Sequence, residues 1–119
     1  MMFRASVFIA LVPAFLIAQG AGQPDRVLYD SAVSDIQHNR FERARLTLQT
    51  LANTYSTSEY LALAKLAIAD SWYREGGTRG LAQAEAECND LIKFYPDGPE
   101  ASKAKELLKK TQDTRAKQK

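Results

Sequence analysis

Apolar residues recur at helical spacing in five stretches of the chain. Leu28, Ala32 and Ile36 step by four between about Arg26 and Gln37, which lays them along one side of a first helix. His38, Asn39 and Arg40 interrupt it. Phe41, Ala44, Leu48 and Leu51 then share a face of a second helix, Phe41 to Thr54, and the short break predicts an antiparallel hairpin. A third helix, from about Ser58 to Arg74, is apolar around most of its circumference, with Lys65 and Asp70 as the main breaks. Such a helix belongs in the middle of a stack. Glu75 to Gly80 carries three glycines and predicts a loop longer than the first hairpin's turn. In a fourth helix, Leu81 to Phe94, the residues Leu81, Ala84, Cys88 and Leu91 point inward and Glu85, Glu87 and Asp90 outward. After Tyr95-Pro96, Asp97 and Glu100 have capping-box spacing for a fifth helix. Its Ala101, Ala104, Leu107, Leu108 and Thr111 make one weakly apolar face, as expected of a terminal cap.

Part of this pattern occurs twice. Leu28, Asp30, Ser31, Phe41, Ala44, Leu51 and Tyr55 recur in type as Ile68, Asp70, Ser71, Leu81, Ala84, Leu91 and Tyr95, each pair 40 positions apart. A period of that size signals stacked helical hairpins that bury their apolar faces on one another. The fold expected is therefore all-α: a short right-handed stack of antiparallel hairpins, about two repeats and a C-terminal capping helix, over residues 25–112. Beyond Gln112 no apolar residue larger than Ala116 remains, so 113–119 are expected to fray as a polar tail.

The start of the chain follows a different pattern. Met1 to Arg4 is basic, Ala5 to Ala18 carries no charge, and Ala18, Gly20, Ala21 and Gly22 are small. This is the layout of a secretory signal peptide, with cleavage expected after Gly20 or Gly22. The apolar run is shorter than the roughly 20 residues a membrane span needs, and Pro13 removes a helix hydrogen bond. No lipidation cysteine stands between Met1 and Arg26, and Cys88, the single cysteine, has no partner for an intramolecular disulfide. The location expected is the periplasm or cell envelope.

Charge and chemistry then narrow the function. A net charge of +2 is too weak to argue for nucleic acid. Basic residues gather late, at Lys103, Lys105, Lys109, Lys110, Arg115, Lys117 and Lys119, but Glu100, Glu106 and Asp113 are interspersed, which reads as a solvated helix face. One histidine, His38, and one cysteine supply neither a metal cluster nor a nucleophile and base with an orienting partner. Gly76-Gly77-Thr78-Arg79-Gly80 lacks the strand and the Gly-Lys-Ser/Thr ending of a phosphate loop. No enzyme and no cofactor are expected.

Each unit resembles a tetratricopeptide repeat: a small residue in the first helix (Ala32, Ala69), another early in the second (Ala44, Ala84), a large apolar one later (Leu51, Leu91), and a closing Tyr-Pro at Tyr95-Pro96. The stretches LYDSAVSDIQHNRFERARLTLQTLANTYSTSEYLALAKL and FYPDGPEASKA are similar to the N-terminal repeats of the BamD-type (YfiO-like) outer-membrane assembly lipoproteins. That resemblance implies a scaffold for envelope proteins, with a part in outer-membrane β-barrel assembly. It also implies a register pairing Ala32 with Ala69, which needs an insertion between Gly76 and Gly80.

In such a stack the first helix of each pair lines the concave side, where a protein or peptide ligand lies. The partner-binding candidates are the outward positions Tyr29, Val33, Gln37, Asp70, Tyr73 and Arg74. Tyr29 and Tyr73 have the alternative of packing between helices. Two other classes of function remain open at this point: self-association into a homodimer that covers an unpaired hairpin face, and membrane-surface contact through the basic last helix.

Overall fold

The computed structural model describes residues 23–118, so the signal-peptide expectation for residues 1–22 lies outside the described residues. Five helices follow one another: α1 (Pro24–Gln37), α2 (Phe41–Thr54), α3 (Leu61–Glu75), α4 (Gly77–Phe94) and α5 (Pro99–Lys117). The fold is all-α, and its helices pack as successive hairpins. α1 and α5 both begin with proline, whose missing N–H is no loss in the first turn.

The first hairpin turns on Asn39, which takes a left-handed backbone (φ 62°), a conformation asparagine tolerates better than most residues. The Arg40 amide then donates to the Asp35 carbonyl at 2.8 Å. Asp35 is buried at the corner, its Oδ1 accepting from Arg40 Nε at 3.0 Å and its Oδ2 lying 3.5 Å from Arg43 Nε. α2 ends at Tyr55, whose amide donates to the Leu51 carbonyl at 2.8 Å, and α4 ends the same way at Tyr95 on Leu91, also at 2.8 Å. The 40-residue repeat is therefore a repeat of geometry as well as of residue type.

α3 packs against all four other helices, and none of its residues from Leu61 to Tyr73 is exposed. It contributes Ala64 and Ile68 to a core with Ala32, Ile36, Ala44, Leu48 and Leu51, and Ala69 to a second core with Cys88, Leu91, Ala101 and Ala104. Alanine at so many buried positions lets the backbones approach closely, so the larger side chains Leu48, Leu51, Leu81 and Leu91 can fill the space between them. Arg45 bridges α2 to α3. Its guanidinium donates to Ser71 Oγ at 3.1 Å and to Glu75 Oε1 at 2.6 Å, and lies 3.5 Å from the centre of the Trp72 ring.

Three expectations are corrected. The loop expected over Glu75–Gly80 is a tight reversal at Gly76 and Gly77, both at positive φ (76° and 72°), and residues 77–80 form an extra first turn of α4. That turn fits against α3 because Gly80 is a glycine: a Cβ there would stand 2.7 Å from the Trp72 carbonyl oxygen. The extra turn also resolves the register. Ala32 and Ala69 are both fully buried, and the three-residue difference from the period of 40 is absorbed as helix.

The capping box at Asp97 does not form. Pro99 opens α5, which makes Gly98 the cap, with no side-chain hydrogen bond to the helix end. Nor does the chain fray at residue 113: α5 continues to Lys117. Arg115 Nη1 holds Glu85 Oε2 at 2.8 Å, and Thr114 Oγ1 lies 3.3 Å from the Tyr73 hydroxyl. Polar contacts to α3 and α4 order the last turns where apolar burial is lacking. Glu85 and Glu87 are accordingly links between helices, Glu87 to Lys65 at 3.5 Å, while Asp90 is exposed.

Candidate functional site

The first helix of each hairpin faces the same side, and α5 takes the corresponding place after α4. Between α1, α3 and α5 lies a groove of about 320 Å³. α3 forms its floor with Leu63, Leu66, Ala67, Asp70 and Arg74. α1 supplies one wall with Tyr29, Val33, Ile36 and Gln37, and α5 the other with Lys103 and Leu107. Apolar side chains therefore make most of the surface, with Asp70 and Arg74 on the floor and Lys103 on the α5 wall as its charged members.

Five of the six residues singled out from the sequence, Tyr29, Val33, Gln37, Asp70 and Arg74, line this one groove. Asp70 and Arg74 are joined one helical turn apart, Arg74 Nε to Asp70 Oδ2 at 2.8 Å. Tyr29 is also partly packed, its ring centre 5.6 Å from that of Tyr60. Burial raises the pKa of its phenol above the ordinary value, with further contributions from Asp30, Glu100 and Tyr60. The sixth residue, Tyr73, is not in the groove. It is rotated roughly 60° from Asp70 around α3, toward α5, where it meets Thr114 and has Lys110 Nζ 5.0 Å from its ring centre.

The sequence reading missed Ile36, Leu63, Leu66, Ala67, Lys103 and Leu107. Leu63 and Leu66 belong to a helix apolar all round, and the pattern does not separate core leucines from groove leucines. Lys103 and Leu107 were assigned to a terminal cap. Their four-residue spacing just after the Tyr95-Pro96 joint is the available signal that α5 is the first helix of a further unit.

A family model described as YfiO, outer membrane lipoprotein, matches residues 21–118. The chain belongs to that family. The match takes in all five helices and every residue of the groove, so the groove of this YfiO-family chain lies within the part the family shares. No curated protein matches the chain. Among the described residues no helix is long and apolar enough to cross a membrane, and no group of three or more His, Cys, Asp or Glu could hold a metal ion.

Cys88, the only cysteine, is fully buried in α4. Burial pushes its thiol from 9.0 up to about 11, with Glu87 and Glu85 adding to the shift. The native protein is expected to resist thiol reagents at neutral pH and to react only on unfolding. A thiol raised on folding contributes stability that is fully present below pH 9 and is lost as pH rises toward 11. Denaturant titrations should therefore show the parent chain losing about 2 kcal/mol more than Cys88→Ala across that interval. Parallel pH profiles for the two proteins would refute the assignment.

Proposed function

We propose that this chain is a non-enzymatic adaptor of the bacterial cell envelope that holds a segment of a partner protein in the groove between α1, α3 and α5. Its place is in outer-membrane β-barrel assembly. The observation that carries the reading is the groove itself: positions selected for their place on the first helix of each hairpin converge on one concave, largely apolar surface. Family membership supports the envelope location and the assembly role. Residues 1–22 act in this reading as the export signal, and the helical stack from residue 25 onward is the working domain.

The site suits an extended or helical segment better than a small molecule. It is partly open to solvent and is bounded by the faces of three helices. Tyrosine and arginine in its lining are residue types that commonly carry binding energy at protein interfaces.

Site-directed photo-crosslinking in intact envelopes tests the proposal. A photoreactive residue at Val33 or Lys103 should capture an identified component of the outer-membrane assembly machinery. The same residue at Leu46, exposed on α2 away from the groove, should not. Equal capture from Leu46, or none from the groove positions, would overturn the reading.

A further inference from the structure

The walls of the groove differ in charge. On α5, Lys103, Lys110 and Lys117 recur every seven residues, which keeps them within roughly 40° of one line and about 10 Å apart along the helix. The same strip carries Leu107, a groove residue, and Thr114, which reaches Tyr73 of α3. The strip therefore faces α3, with Lys103 and Leu107 at the groove and Lys110 and Thr114 beside Tyr73, just past its edge.

None of the three lysines is in an ion pair among the described residues, whereas Lys109 is tied to Asp113 at 3.1 Å and Arg115 to Glu85 at 2.8 Å. Glu106, within roughly 40° of Lys110 on the same side of α5, is in no ion pair either, so the row carries three positive charges to one negative. On the floor, Asp70 and Arg74 neutralise each other, and on α1 Asp30 lies 3.6 Å from Arg26. Of the charged residues lining the groove, Lys103 on the α5 wall is thus the one outside any ion pair among the described residues, and the lysine row carries its positive charge on past the groove's edge.

We infer that the groove takes an acidic amphipathic segment of a partner protein, its apolar side on α3 and its carboxylates along Lys103, Lys110 and Lys117. This rests on the groove being the binding surface. Apolar floor and basic wall are complementary to a segment that is apolar on one side and acidic on the other. The end near Tyr29 is less favourable for carboxylates, because Asp30 and Glu100 stand close to that ring. The acidic side of the segment therefore lies toward Lys110 and Lys117. An anionic lipid surface fits less well, because Lys103 is set at a concave groove and a flat bilayer would meet the outer face of α5 first.

Fluorescence anisotropy with two labelled peptides of equal length and identical apolar pattern, one built of Leu and Glu and the other of Leu and Lys, tests the inference. The Leu–Glu peptide should bind roughly tenfold more tightly, an advantage that shrinks as salt is raised. Lys110→Glu should weaken it severalfold, while Lys105→Glu, the same charge change off the strip, should leave binding nearly unchanged. Circular dichroism confirms that both variants keep the parent's helix content.

Equal binding of the two peptides would overturn the inference and leave the groove reading standing, since envelope crosslinking decides that reading separately. Binding of neither peptide would also overturn it. So would Lys110-dependent binding to vesicles of anionic phospholipid without binding to the Leu–Glu peptide.

Discussion

Leu48→Ala is expected to lower the unfolding free energy by about 2–5 kcal/mol. Leu48 is fully buried on α2, and its core neighbours include Ala32, Ala44 and Ala64, from three different helices. Alanines have no side chain to swing into the vacated space, so the cavity persists and its cost adds to the lost transfer free energy. A domain of this size has a total stability of roughly 5–15 kcal/mol, so the loss is a large fraction of it. Urea titration should show a lower midpoint with an unchanged slope. Leu91→Ala, fully buried in the second core, should behave alike. Because α3 belongs to both cores, each variant should still unfold in a single transition. Two separated transitions would show that the hairpins unfold independently.

Gly80→Ala should destabilise the protein by about 1–3 kcal/mol, against the usual direction for such a change in a helix. Glycine to alanine inside a helix ordinarily gains close to 1 kcal/mol. Here the added Cβ would stand 2.7 Å from the Trp72 carbonyl oxygen, a backbone atom of α3 that cannot rotate away. α3 and α4 must separate, and the close approach that follows the reversal at Gly76 and Gly77 is disturbed. Thermal unfolding of the variant checks the sign, and a midpoint equal to or above the parent's would contradict the close approach. Gly77 offers no such test, because its positive φ strains any replacement whatever the space.

Much of the architecture was legible because it is periodic. Phe41 to Thr54 was read to the residue, since its inward Ala44, Leu48 and Leu51 keep strict helical spacing between two clear breaks. The departures come from places where local chemistry is ambiguous. Three glycines in six residues look like a loop, yet Gly76 and Gly77 alone make the turn, and Gly80 is there for close packing. Asp97 and Glu100 have the right spacing for a cap, but Pro99 moves the helix start past Asp97. The last turns of α5 carry no apolar signal, because Thr114 and Arg115 hold them by polar contacts to residues distant in sequence.

The groove was legible by position and not by composition. Knowing which helix of each hairpin faces inward was enough to find Tyr29, Val33, Gln37, Asp70 and Arg74. It was not enough to place Tyr73, which sits about a sixth of a turn away and is claimed by α5. The α5 wall was hidden because lysines at a helix surface carry the same signature whether they face bulk water or a concavity.

The helix that floors the groove is the same helix that both cores share. Occupancy of the groove and resistance to unfolding are therefore linked quantities, and a bound segment should raise the melting temperature of the entire stack. The linkage also constrains how specificity can change. Substitutions at Leu66 or Ala67 alter the groove and the packing of the fold together, whereas Val33, Gln37 and Lys103 on the walls are free to vary. Relatives with different partners should differ first at the walls, over a floor that stays the same.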